Sequence, residues 1–385
     1  MNKKLTAAAI LAAMTLAVSA SAFAATPEDE IKDLKQRLAA LEAKLSTVEK
    51  TQASAPKTTP NITITGESRI RFQSTDYDTN ALDGTEAWDL RQRLLLSAKI
   101  NDHVKYNGRL EATFKNGANA TTNNPRFNQN YFTISDVAGI DTTLIGRVPA
   151  AAGMNLNIGK PSDNDGFIVS KKVDRVTFTG FSLEEAGIHN THLDGIYADF
   201  AMNKDSNLAI GFTRGEGVTA ADYLPSTGTP VPQAKSFDIG AYTKLGKDLS
   251  LVGQYVDTSN SGAEDANAWA VQLVKGVTTK KVGTLSTNMT IVDKSKPHTQ
   301  GYILGYRHIE HNGLWNGGAA SPFNANNNAV SSTDNVKGIY LGYQNVLAKN
   351  TILTLEYQDL DNVETYAGYT DREAKIFQTH VQFFF

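Results

Sequence analysis

From Asn61 to Phe385 the chain is written in a period of two, and nothing beyond Ala24 supplies the roughly 18 consecutive apolar residues of a membrane helix. The last thirteen residues show the pattern most sharply. Phe377, Thr379, Val381, Phe383 and Phe385 fall on one face of an extended strand, and Ile376, Gln378, His380, Gln382 and Phe384 on the other. One side is greasy and the other polar. Chain ends are usually frayed and wet, so a Phe-Phe-Phe terminus sits badly on a soluble domain. A strand between lipid and a water-filled lumen has this alternation, and it must close into a barrel so that no backbone edge is left in hydrocarbon. The competing explanation is a sandwich strand buried at a chain end.

Similar alternation recurs along the chain. Ile62, Ile64, Gly66, Ser68, Ile70 and Phe72 oppose Thr63, Thr65, Glu67, Arg69 and Arg71. Further segments fall at 90–100, 104–114, 127–135, 142–148, 173–180, 192–202, 208–214, 236–245, 249–256, 268–275, 282–292, 300–309, 336–346, 351–358 and 373–385. The expected fold is all-β, a transmembrane antiparallel barrel of about 16 strands. Fourteen result if 173–180 belongs to the loop before it and one later segment is not a strand. Connections alternate between tight (101–103, 203–206, 246–248, 348–350) and long (73–87, 215–235, 310–335), which is the barrel habit.

Residues 1–24 read as a signal peptide: Lys3 and Lys4, an apolar core from Leu5 to Val18, and Ala22-Phe23-Ala24 for cleavage. Residues 25–50 read as a helix, with Thr26 as N-cap and Pro27 at the first turn. Ile31, Leu34, Leu38, Leu41, Leu45 and Val48 form a heptad seam. Its flanks Glu30 and Lys35, Arg37 and Glu42, Lys44 and Glu49 carry opposite charges, which predicts a parallel homo-oligomeric coiled coil; an amphipathic helix lying on its own domain explains the seam but not the flanks. Residues 51–60 are a linker, and 61–385 the barrel.

The final-strand signal, the loop alternation and the signal peptide together resemble the general, trimeric porins of bacterial outer membranes. That resemblance implies a homotrimer in outer-membrane lipid, a coiled coil in the periplasm, and a water-filled channel for passive diffusion of ions and small hydrophilic solutes. In that family a long loop folds into the pore, its acids facing an arginine wall. Carried over, Arg69, Arg71, Arg91, Arg93, Arg109 and Arg147 form the basic wall, with Glu67 and Glu111 as lumen acids. Asp163 and Asp165 then supply the acidic side, on a constriction loop around 149–172. A three-residue turn at 101–103 would set Arg93 beside Glu111 and leave the other arginines unpaired by neighbours. A polar lumen that merely pairs and hydrates its charges explains the same residues. The chain also resembles the coiled-coil-bearing tethered porins, though it has no room for an S-layer-homology domain before Glu28. The alternatives are therefore a substrate-selective channel, or a structural tether whose stalk binds peptidoglycan or another wall polymer.

The remaining chemistry is sparse. The chain has no cysteine, and a net charge of -3 at pH 7 points to no nucleic acid. His189 with His192, and His308 with His311, are three apart, which on a strand puts them on opposite faces. Asp163-Asn164-Asp165-Gly166 echoes a calcium loop but lacks the Glu at its twelfth position. No enzyme, metal or cofactor is expected.

Overall fold

A computed structural model describes residues 39–40, 61–77, 85–117, 122–158, 164–185, 192–218, 231–261, 264–276, 285, 290–311, 313–314, 335–364 and 373–385. The chain separates into Met1–Thr59 and Pro60–Phe385. In the first unit Ala39 and Ala40 are helical and exposed. The signal peptide, the heptad seam and the linker otherwise lie outside the described residues.

The regular elements among the described residues of the second unit are all strands. In order they are β1 (Asn61–Tyr77), β2 (Thr85–Lys99), β3 (Val104–Gly117), β4 (Thr122–Val137), β5 (Ile140–Val148) and β6 (Asn164–Val173). Then come β7 (Val176–Glu185), β8 (His192–Asn203), β9 (Ser206–Val218), β10 (Val231–Lys244), β11 (Leu249–Asn260) and β12 (Ala266–Lys275). β13 (Gln300–Ile309), β14 (Val336–Ala348), β15 (Thr351–Asp361) and β16 (Glu373–Phe384) complete the wall. Each strand pairs antiparallel with its sequence neighbours, and β1 closes on β16 from Glu67↔Phe384 to Tyr77↔Ala374. The result is a closed barrel of sixteen strands with no open edge.

The alternation sorts the two faces as the sequence predicts. Outward positions on β1 and β2 are apolar and exposed, among them Ile64, Ile70, Trp88, Leu90 and Leu94, while Arg69, Arg71 and Asp89 between them are buried. At the other end of the chain Phe377, Phe383 and Phe385 face out, and Ile376, Gln378 and His380 face in. A continuous belt of apolar side chains around a closed wall is what lipid requires and water penalises.

Sixteen strands were expected, but the set differs. Residues 164–173, placed in the constriction loop by sequence, are β6. The expected strand at 282–292 is not one among its described residues: Leu285 and residues 290–292 carry no strand pairing, and Leu285, Ile291 and Val292 are buried inside the barrel. The expected segment at 173–180 is displaced to β7. The two exchanges have opposite causes. Gly166 and short polar residues break the apolar alternation of β6, whereas the connection after β12 imitates it.

Tight turns mark one end. Asn101 Oδ1 accepts from the backbone N–H groups of His103 (2.9 Å) and Val104 (2.8 Å), and Ala138, Gly139, Asp174 and Asn350 take the positive φ that two-residue turns demand. The connection from Gly276 to Thr299 belongs to this same end but is long.

The seam of the barrel depends on its last residue. Phe385 N–H donates to Gly66 O (3.0 Å) and Gly66 N–H to Phe385 O (2.7 Å). Deleting Phe385 removes both bonds, each worth about 1 kcal/mol, together with the ring lying over Gly66. A lower temperature for conversion of the folded band to the unfolded band on semi-native gels is expected; an unchanged temperature would show that the terminus does not hold the seam.

Candidate functional site

The charged wall is assembled by register. β1 and β2 place Glu67 opposite Arg93, Arg69 opposite Arg91, and Arg71 opposite Asp89, and β3 brings Glu111 opposite Arg93. Alternate residues point inward, so these side chains stack in rows across the lumen face. Arg91 bonds Glu67 at 2.5 Å, Arg93 reaches Glu67 at 3.0 Å and also bonds Glu111, Arg69 bonds Asp89 at 3.1 Å, and Arg71 bonds the other Asp89 oxygen. Arg109 donates to Asn128 Oδ1 at 2.7 Å. The predicted Arg93 and Glu111 pair is present. Three of the other arginines, expected to lack neighbouring partners, have them: Glu67 engages Arg91, and Asp89 engages Arg69 and Arg71. Asp89 was missed because the sequence reading began the strand at Leu90, although the alternation runs on through Trp88 and Asp89.

A second constellation sits where β5 ends. Arg147 and Asp165 are opposite on β5 and β6 and form a two-pronged bond, Nε to Oδ1 at 2.8 Å and the second guanidinium nitrogen to Oδ2 at 2.9 Å. Asp165 is therefore not on the loop; it is a wall residue that faces its arginine across one strand gap. Asp163 lies outside the described residues. Within 149–158, the described part of the in-folded loop, there is no charge at all. Asp165 thus joins acids and bases interleaved on the wall itself, while the uncharged residues 149–158 pack elsewhere.

That loop is fastened by buried polar groups which sequence did not single out. Ala152 N–H donates to Ile158 O (3.0 Å), folding 152–158 back on itself, and Gly153 and Asn155 turn with positive φ. Gln254 Oε1 on β11 accepts from the backbone N–H of Met154 (3.0 Å) and of Leu156 (2.9 Å). Its Nε2 donates to Asp238 Oδ1 at 2.9 Å, while Tyr197 O–H and Asn157 Nδ2 converge on Asp238 Oδ2. Asp238 is 0% exposed. A lone Asp, Gln and Tyr at inward positions of three strands carry no motif, so only the fold brings them together. Met154, Leu156 and Ile158 are buried beside them.

The lumen is thus uneven. Arg147 and Asp165 side chains are 32% and 44% exposed, and Arg93 and Glu111 18% and 22%, whereas the inward residues of β10 to β12 are dry. Among the described residues no cluster of three or more His, Asp or Glu is placed to hold a metal ion.

No protein-family profile and no curated protein matches this chain. Among solved structures it is similar to engineered variants of a porin from Rhodopseudomonas blastica. A triple mutant of that porin aligns at 13% identity with a TM-score of 0.48, covering 84% of this chain and 100% of the other. A second variant gives 14% identity and a TM-score of 0.47 over the same shares, as does a structure described by the phrase "Asymmetric conductivity of engineered proteins". The closed sixteen-strand architecture stands on the strand pairing of this chain, independent of that likeness.

Proposed function

We propose that this chain is an outer-membrane porin, a passive channel for ions and small hydrophilic solutes. The observation that carries the reading is the two-faced closed wall: apolar side chains outside on strands long enough to cross a bilayer, and partly exposed charged rows inside. Barrels of this strand number leave room for an aqueous channel, and charged rows in a narrow bore select solutes by field rather than by chemistry. Assembly as a homotrimer, a periplasmic coiled coil, outer-membrane lipid as surroundings and wall attachment through the stalk extend the same proposal from the sequence.

Purified protein is expected to open discrete conductance steps in planar bilayers, with a reversal potential in asymmetric KCl that moves towards cations when Arg91 and Arg93 are both changed to Gln. A bilayer that stays silent at saturating protein overturns the channel. A reversal potential indifferent to both arginines removes the wall from the ion path.

A further inference from the structure

The inner face of strands β11 to β14 is dry: apolar side chains alternate there with buried polar ones such as Gln254, Gln272, Arg307 and Gln344, none more than 4% exposed. Leu251, Tyr255, Trp269, Val271 and Leu304 are exposed on the outside, while Val252, Val256, Ala268, Val274 and Tyr340 on the inside have no exposure. An inner surface of this kind cannot border a water-filled bore without a cover, because each buried apolar side chain is worth about 1.5–3 kcal/mol relative to leaving it wet.

The cover comes from two ends. Residues 149–158 descend from the end of β5, and Leu285 with residues 290–299, which join β12 to β13, come from the end with the tight turns. Leu285, 2% exposed, donates its N–H to Met154 O at 2.8 Å, so the two segments meet inside the barrel. Ile291 N–H donates to Gln344 Oε1 on β14 at 2.9 Å, and the Ile291 side chain lies directly over Gly301, where an added Cβ would approach its Cδ1 to 2.6 Å. His298 N–H donates to Val346 O (2.7 Å), Val346 N–H to Thr299 O (3.0 Å) and Asn350 N–H to Lys294 O (2.7 Å), tying 294–299 to the end of β14 and its turn. Lys294 Nζ rests 4.2 Å from the centre of the Phe384 ring. Leu285, Ile291 and Val292 join the apolar clusters of the wall.

We infer that the described part of the β12–β13 connection, Leu285 and residues 290–299, is a second constriction-forming segment, which with 149–158 seals one side of the lumen and confines solutes to the charged passage along β1 to β6. This rests on the channel reading. The segment is a specificity determinant: it sets the size of solute admitted, from the end opposite to the first loop.

The absence of cysteine in the native chain makes the test direct. Leu285→Cys and Ile291→Cys in the full-length, detergent-folded protein are expected to resist a water-soluble maleimide, while Lys247→Cys on an exposed turn reacts. Adding Gly301→Val, which drives a methyl group into Ile291, should make both thiols reactive and raise unitary conductance about twofold or more as the dry half of the bore fills. Gln344→Leu removes the acceptor for Ile291 N–H and is the second variant should Gly301→Val not fold. Thiols that react as fast as the turn control would overturn the placement. Thiols exposed by either variant with conductance unchanged would overturn the restriction. Silence of every form in bilayers removes the channel reading and the restriction with it, and the labelling pattern then still reports whether the segment lies inside.

Discussion

Gly166→Val yields no folded barrel. Gly166 holds φ 150° on β6, in a region that side-chain-bearing residues rarely adopt, and a Cβ there would stand 2.1 Å from Ser182 O and 3.0 Å from Leu183 Cα on β7. Neither atom can give way, since both belong to the backbone of the next strand. Gly146, directly opposite on β5, holds φ 121° and is closed in by Asn130 O at 2.5 Å. The two glycines form a kink across two strands, and it is beside this kink that β5 ends and the in-folded loop departs. Backbone strain of about 1–3 kcal/mol adds to a steric overlap that must part β6 from β7, so closure fails. The measurement is the heat-modifiable band on semi-native gels after refolding into detergent. Gly180→Ala is the control: its Cβ finds nothing nearer than Val169 at 3.6 Å, and it should fold as the native chain does. A Gly166→Val protein that migrates as a folded barrel would refute the kink.

Asp238→Ala frees the loop at 149–158 from the wall. The carboxylate accepts from Tyr197, Asn157 and Gln254 in a site closed to water. Its removal takes the carboxylate acceptor from the Tyr197 and Gln254 donors at about 1–3 kcal/mol each, while Asn157 Nδ2 keeps Thr213 Oγ1 at 3.3 Å. Gln254, no longer held, releases the Met154 and Leu156 N–H groups in turn. The expected result is a lower unfolding temperature together with larger and noisier conductance steps, as the loop leaves β10 and β11. Asp238→Asn keeps the shape but turns one acceptor into a donor, and should fall between the two. Native conductance in Asp238→Ala would show that packing of Met154, Leu156 and Ile158 suffices to hold the loop.

Much of the wall is legible in the sequence because a period of two is a local property. Arg91, Arg93 and Glu111 face inward on parity alone, and the short turn after Lys99 brings Arg93 to Glu111. Parity cannot say which connection stays outside. Residues 282–292 alternate as well as a membrane strand does, yet Leu285 and Ile291 serve as filling inside the barrel, because a segment packed against a dry inner wall needs the same spacing as one facing lipid. The converse error befell 164–173, where the Gly146 and Gly166 kink dilutes the apolar signal. Asp89 was lost to a boundary drawn at Leu90, five residues after β2 begins at Thr85. Asp238, Gln254 and Tyr197 were out of reach for a different reason: they sit on separate strands, and nothing short of the closed register reveals that they share one bond network.

If the barrel is the channel proposed above, the interleaving of Arg69, Arg71, Arg91 and Arg93 with Glu67, Asp89 and Glu111 has a consequence for what its passage can tell apart. A bare ion drifting past finds each head already engaged by a neighbour about 3 Å away, so valence alone gives it little purchase. A molecule carrying both signs a few ångström apart, such as a zwitterion, can lie along the ladder and exchange one pairing for another at every step. Such a channel is therefore expected to sort by the spacing of charge within the traveller more than by its sum.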